Sequence, residues 1–386
     1  MRRLLASIAV LAALAPRAFA DEVVARGNYY RDRNTRVVQP EIELDKTGPG
    51  GWSVGGHYLL DTITSASLAA GVVRDQPFTE LRNEVGFNVG KQLGPATLRG
   101  GYSISQESDY RAQLFTLGTT VDLFKKNSTL GVLFAYGHDN VFQRMGPANF
   151  IPVGSLDFIH GIVSWTQALS PKLLLVGSYD FEVLGFGNGQ NGFQANPYRP
   201  ATVGGMPQRE VVPFQRVRMA VTGSAHIVIP FKSQFLRYLA FRPMVRVYWD
   251  DWGITSFTPE LRTYTPLGPV ELRITGRIYT QTQASFWNDV GGVPQYTGNQ
   301  GLPCNTCYLR SSQTGAFVTA DPKLGPYSTY YFDVGLFFNL RFARRMWRWF
   351  SEGNVSINYG HLFQTNFARQ TWGDADLAGM TLTFPL

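Results

Sequence analysis

The sequence predicts an all-β fold, a transmembrane antiparallel β-barrel of about 16 strands (14 being the other count it allows). Three observations carry this. Apolar and polar residues alternate along nearly the whole chain, the alternating runs are long, and the connections fall into a short class and a long class that take turns.

Alternation comes first. Val38, Pro40, Ile42 and Leu44 alternate with Gln39, Glu41, Glu43 and Asp45, and Val270, Leu272, Ile274 and Ile278 alternate with Glu271, Arg273, Thr275, Arg277 and Tyr279. Successive side chains of a strand point to opposite faces, so each run has one apolar and one polar face. The runs parse as 22–32, 35–46, 51–61, 80–92, 97–106, 110–124, 128–138, 156–168, 172–184, 213–229, 237–251, 256–265, 269–286, 328–343, 351–363 and 375–386. Most are of the length a tilted bilayer-spanning strand needs, against about 5–6 residues in globular sheets.

The connections give the topology. After even-numbered strands come short turns such as 47–50, 93–96, 125–127, 169–171 and 266–268; after odd-numbered strands come the long loops 62–79, 139–155, 185–212 and 287–327. Bacterial outer-membrane barrels combine short periplasmic turns with long extracellular loops and an even strand count. The final alternation of Met380, Leu382, Phe384 and Leu386 suits a barrel C-terminus. Aromatics near strand ends (Trp52, Tyr58, Trp165, Tyr179, Trp249, Trp347, Trp349 and Tyr359) suit interfacial girdles, or ordinary sheet packing. Outward Gly223 and Ala225 interrupt the apolar belt, as a packing face does and as lone barrels also do.

Composition agrees. The 386 residues are 44% hydrophobic and 14% aromatic but only 16% charged, which excludes a disordered chain. Mean hydropathy is −0.11, so the apolar residues are dispersed among polar ones. The one sustained apolar stretch, Leu4 to Ala15, is shorter than the ~20 residues of a spanning helix. It follows Arg2 and Arg3 and ends in Ala18-Phe19-Ala20, the pattern of a secretory signal peptide. Residues 1–20 are therefore expected to be the signal and 21–386 the barrel, located in the outer membrane of a Gram-negative bacterium. Removing 1–20 takes away three arginines and no acid, so the formal charge falls from +7 to +4, too mild to call for nucleic acid.

Four strings are more specific: Asp61-Thr62-Ile63-Thr64-Ser65-Ala66-Ser67, Asn196-Pro197-Tyr198-Arg199, Asp250-Asp251-Trp252-Gly253 and Tyr279-Thr280-Gln281. Together they resemble a family of Gram-negative outer-membrane barrels known as a domain of unknown function, with the patterns D-x-x-S-x-A-S, N-P-Y-R, D-D-W-G and Y-x-Q. The resemblance spans most of the mature chain. It implies an outer-membrane location and no assigned activity.

The polar parity supplies the functional expectations. Arg216, Arg218, Arg242, Arg246, Arg262, Arg273 and Arg277 sit on strands 10 to 13, with Glu260 and Glu271 as the only acids below the mouth. Glu41, Glu43 and Asp45 sit on strand 2, eight strands away in a ring of sixteen. The Arg rows are expected to lack acids within their own wall and to face acids across a water-filled lumen, as in a porin-like channel passing small polar or charged solutes. The other reading is a lumen closed by paired charges, with the barrel a surface scaffold whose loops bind envelope partners or lipopolysaccharide.

Asp61, Asp180, Glu182, Asp250, Gln281, Gln283 and Ser285 are expected at the extracellular mouth. There they serve as a cation or sugar entrance, as a divalent-ion clip, or simply as anchors of the loop backbones. His138-Asp139 and Asp250-Asp251 loosely resemble the pairs of outer-membrane proteases, but alternation points one member of each inward, so hydrolysis ranks third and no catalytic residue is assigned. No G-x-S-x-G elbow is present. The five histidines lack ligand spacing, and no metal or cofactor is expected. Cys304 and Cys307 are followed by Tyr308, not His, which excludes covalent haem attachment and leaves a local disulfide in an oxidising loop as the expectation.

Overall fold

The computed structural model describes residues 21–32, 35–65, 78–145, 149–186, 192–195, 200–203, 206–233, 235–287, 312–314, 317–319, 321–340, 352–365 and 374–385. Sixteen antiparallel strands among them close into one barrel. They are β1 (Glu22–Arg31), β2 (Thr35–Gly48), β3 (Trp52–Ser65), β4 (Phe78–Leu93), β5 (Ala96–Gln106), β6 (Tyr110–Leu123), β7 (Ser128–Arg144) and β8 (Phe150–Ser170), followed by β9 (Leu173–Leu184), β10 (Arg216–Pro230), β11 (Tyr238–Asp250), β12 (Thr255–Leu267), β13 (Val270–Gln281), β14 (Tyr327–Asn339), β15 (Asn354–Thr365) and β16 (Ala375–Pro385). The sheet closes through β1 and β16, from Glu22↔Pro385 to Arg31↔Asp376, and closure removes every free edge. Two short hairpins, Pro200–Val203 with Met206–Arg209 and Ser312–Thr314 with Phe317–Thr319, lie outside the barrel sheet.

Register assigns the faces, because residues directly opposite in adjacent strands point the same way. One parity carries exposed apolar side chains: Val85, Phe87 and Val89 on β4, Leu130, Val132 and Phe134 on β7, Val221, Ile227 and Ile229 on β10, and Tyr330, Phe332, Val334 and Leu336 on β14. That is the outward surface of the barrel. The other parity carries Glu41, Glu43 and Asp45 opposite Arg26, Val24 and Glu22 and continues unbroken around the ring. Among the described residues no helix is long and apolar enough to cross a membrane.

Strand ends depart from the alternation where loops recruit or release residues. β7 and β8 run on past 138 and back to 150, so the expected loop 139–155 shrinks, and His138-Asp139 sits within a strand instead of ending one. β13 stops at Gln281, which leaves Gln283 and Ser285 in the following turn. The β14–β15 connection, 340–353, is the one long member of the turn class. The β4–β5 and β12–β13 turns are tight: Gly94 (φ +59°) and Gly268 (φ +65°) take the left-handed conformation that a side chain disfavours. In the β6–β7 turn the same conformation falls on Phe124, Lys125 and Lys126. Residues 1–20, Ala66, Ser67, Asn196–Arg199, Cys304, Cys307, Trp347, Trp349 and Leu386 lie outside the described residues.

Candidate functional site

Every residue of the expected Arg wall lies on the inward parity. β10 contributes Arg216 and Arg218, which register with Leu184 and Glu182 of β9. β11 contributes Arg242 and Arg246 opposite Arg262 and Thr258 of β12, and β13 contributes Arg273 and Arg277 opposite Tyr264 and Glu260.

The expectation that these rows lack nearby acids is overturned. Arg262 Nε meets Glu260 Oε1 at 2.6 Å and Arg273 Nε meets Glu271 Oε1 at 2.8 Å, each pair being two residues apart on one strand and therefore on one face. Arg246 Nη1 lies 3.1 Å from Asp180, and Arg218 Nη1 lies 2.9 Å from Glu182. Across the barrel, Arg26 bridges Glu41 at 3.2 Å and Glu43 at 2.8 Å. Among the described residues Arg242 and Arg277 make no ion pair; the Arg277 guanidinium stacks 5.1 Å from the Tyr331 ring.

Pairing reduces the segregation of charge without abolishing it. The inward face of β10–β13 carries its seven arginines against Asp250, Glu260 and Glu271. The inward face of β1–β6 carries Glu22, Glu41, Glu43, Asp45, Asp61, Glu80, Glu84 and Asp122 against Arg26, Arg82 and Arg99.

The long-loop end is built by the strings singled out in the sequence. The Asp250 side chain is fully buried beside Arg216. It accepts hydrogen bonds from Arg216 Nε (3.0 Å) and Nη2 (2.5 Å), Tyr248 Oη (2.6 Å) and Ile254 N (2.8 Å). Asp251 accepts from Val217 N at 2.9 Å, and the Trp252 indole donates to Gln215 O at 2.9 Å. Arg216 lies 4.3 Å over the Trp252 ring. Gly253 (φ +91°) lets the turn close against Ser285, whose N–H donates to Trp252 O at 2.7 Å.

Around this turn Val212, Trp252, Ile254, Ala284, Phe286, Trp287 and Leu324 form a small apolar core. Thr319 Oγ1 donates to Glu210 at 2.5 Å, tying the two long loops together. Gln281 Nε2 donates to Lys323 O (2.8 Å) and Gly325 O (2.7 Å), and Gln283 Nε2 to Trp287 O (3.0 Å). These side chains hold loop backbone in place.

On the opposite rim Asp61 is buried, with Oδ1 lacking a hydrogen-bond partner and Oδ2 3.7 Å from Arg82 Nε. Arg82 Nη2 bonds Glu84 at 2.8 Å. Glu107, in the adjoining 107–109 turn, has its pKa pushed up to about 7 by burial first, then by Asp109, Glu80 and Asp61, against the pull of Arg82. Among the described residues no cluster of His, Cys, Asp or Glu is arranged to hold a metal ion. The protease-like pairs are not assembled. Asp139 points inward and accepts from Tyr110 Oη at 2.5 Å, whereas His138 points outward and bonds Asp157 at 2.5 Å.

Sequence reasoning missed a cavity of ≈ 470 Å³ at the long-loop end of the lumen, lined by Tyr30, Thr258, Arg277, Tyr279, Lys323, Tyr327, Thr329, Leu362 and Gln364. Its sequence signal is the inward tyrosine parity of β1, β13 and β14.

Among solved structures, the chain is similar to CdiB from Acinetobacter baumannii, with a TM-score of 0.52 at 8% identity over 94% of this chain and 60% of that one. It is also similar to a bacterial polysaccharide outer membrane secretin (TM-score 0.49, 8% identity, 95% and 98% coverage) and to the outer membrane protein OprD from Pseudomonas aeruginosa (0.42, 9%, 95% and 94%). At such identities the likeness concerns the fold alone. No curated protein matches the chain. The closed sixteen-strand barrel, with its apolar outer face and polar inner face, is an outer-membrane protein of a Gram-negative bacterium. The family model described as Protein of unknown function (DUF3570) matches residues 61–158 and 157–354, and the chain belongs to that family.

Proposed function

We propose that the barrel is a porin-like channel that passes small polar or charged solutes, with the β10–β13 arginines and the β2 acids lining its water-filled lumen. The observation that carries this reading is the exposure of inward cations well below the rim. The side chains of Arg246 and Arg262 are each 42% exposed, Arg273 39% and Arg26 36%, although all are inside the ring. In a packed lumen they would resemble Arg216, at 11%.

The residual charge segregation supplies a field from the arginine arc to the acid arc. Such a field orients dipolar solutes and disfavours apolar ones, which displace oriented water without replacing its interactions. In this reading residues 1–20 direct export and are removed, lipid and lipopolysaccharide surround the outward face, and Cys304 and Cys307 form a disulfide within their loop. A second reading, a surface scaffold acting through its loops, draws on the ordered cap around Trp252 and Phe286.

Liposome swelling separates the two. Proteoliposomes diluted into isotonic solutions of neutral sugars of increasing size swell at rates set by the pore. Swelling with small sugars that fades with size supports the channel; no swelling from a folded, inserted barrel refutes it and shifts the function to the loops.

A further inference from the structure

The channel reading leaves open which solutes the lumen recognises, and the cavity at the long-loop end narrows the choice. It extends along the wall from β12 to β1, where the arginine arc meets the acid arc, and has the volume of a small-molecule site. Three features converge there. Arg277 is on the inward face with no ion pair among the described residues, its guanidinium lying 5.1 Å over the ring of Tyr331. Gln364 lines the cavity, and its buried amide nitrogen, Nε2, has no hydrogen-bond acceptor; an unsatisfied buried donor costs free energy, which turning the amide toward an incoming acceptor recovers. Tyr30, Tyr279 and Tyr327 supply flat walls, the rings of Tyr279 and Tyr327 lying 5.4 Å apart and tilted by 39°.

The Y-x-Q string explains the placement. Arg277, Tyr279 and Gln281 alternate onto the inward face of β13. Tyr279 Oη donates to Gln281 Oε1, while Gln281 Nε2 holds the carbonyls of Lys323 and Gly325, so Lys323 is carried over the cavity by the turn that Gln281 anchors. One strand face thus provides a cation, a wall and the attachment of that turn. Because the cavity offers cations and donors from two sides, the complementary group is an anion with paired acceptors. An Arg fork matches a carboxylate bidentately, and tyrosine faces match a ring.

Resting on the channel reading, we propose that this cavity is a recognition site for small solutes that carry a carboxylate on a six-membered ring, whether an aromatic acid or a sugar acid. The test records single-channel currents through the full-length folded barrel with benzoate and benzamide as one pair and glucuronate and glucose as the other. At least one acid is expected to interrupt the current in a concentration-dependent way while its neutral partner does not, and the responding pair distinguishes the two sources. Arg277→Gln should raise the half-blocking concentration by roughly ten-fold or more, the scale of a lost charge-assisted hydrogen bond, and Gln364→Leu by a smaller factor. Each variant is first checked for the heat-sensitive gel migration of a folded barrel.

Equal block by the acid and its neutral partner, no block by either acid, or an Arg277→Gln barrel with unchanged half-block overturns the proposal and leaves the pore standing. If the barrel conducts nothing, the channel reading fails by itself. Equilibrium dialysis of labelled benzoate and glucuronate against the detergent-solubilised wild-type and Arg277→Gln proteins then decides the site: binding lost in the variant supports it, and equal or no binding overturns it.

Discussion

Asp250→Asn isolates the clamp that orders the mouth. The substitution keeps the shape of a side chain that is fully buried but removes the charge facing Arg216, itself only 11% exposed. Asparagine can still accept from Ile254 N, where aspartate accepts at 2.8 Å, but it cannot neutralise the guanidinium bonded at Nε and Nη2. Breaking one side of a buried pair costs about 3–5 kcal/mol, because the remaining charge stays desolvated. At about 1.4 kcal/mol per decade, the opening constant of the β11–β12 turn should rise by roughly two to four decades.

The effect belongs to the cap, since Ser285 N is bonded to Trp252 O and Ala284 N to Leu324 O, whereas the barrel strands are held by their own ladders. Amide hydrogen exchange of the folded protein in detergent, read by mass spectrometry, should show protection falling at Ile254, Ala284 and Ser285 and holding along β4–β7. The double substitution Arg216→Met with Asp250→Leu should recover much of the loss, because it leaves no unpaired charge. Wild-type protection at Ile254 and Ser285 in Asp250→Asn would refute the reasoning.

Further outcomes follow from other parts of the molecule. Glu107 holds its proton more tightly when folded than at its ordinary value near 4.5, so ionisation works against the folded 107–109 turn. The stability of that turn should therefore be greatest below about pH 4.5 and decline as pH rises through about 7. Exchange at Ser108 measured from pH 5 to 8, corrected for intrinsic rates, should rise in wild type and stay flat in Glu107→Gln. Lys125→Gly relieves a left-handed residue (φ +58°) and should raise the urea midpoint by the equivalent of about 1 kcal/mol; an unchanged or lower midpoint would contradict this. Cysteines at neighbouring positions test the faces of β10. Val221→Cys should react with lipid-soluble reagents alone and Thr222→Cys with small water-soluble ones, and the reverse would exclude the register.

All sixteen strands were legible because a two-residue alternation over ten or more residues has few other uses. The strand ends were less so. Ala284 and Phe286 keep the alternation going past Gln281, yet their apolar parity serves the loop core beside Trp252 and not the bilayer, so the pattern outlives the sheet. The Arg wall was visible as a parity, and its partial neutralisation, which the expectation of unpaired rows overlooked, is implied by the spacing. Glu260 and Arg262, and Glu271 and Arg273, are two residues apart on one face, a spacing that places them in reach of each other. The pairing of Arg26 with Glu41 and Glu43 needs only the β1–β2 register. What alternation could not give is the work of Asp250, whose partner Arg216 is 34 residues away at the far end of the β10–β11 hairpin, or the cavity, whose walls come from five strands and a loop turn.

The central claim is an open polar lumen whose inward arginines face water. Its most direct test is single-channel recording of the folded barrel in a planar bilayer, with reversal potentials measured across a salt gradient for wild type and for Arg242→Gln with Arg246→Gln. The account predicts discrete conductance steps in both, with the reversal potential of the double variant displaced toward cation selectivity. A correctly inserted barrel that never conducts, or one whose selectivity ignores the loss of both charges, would contradict it.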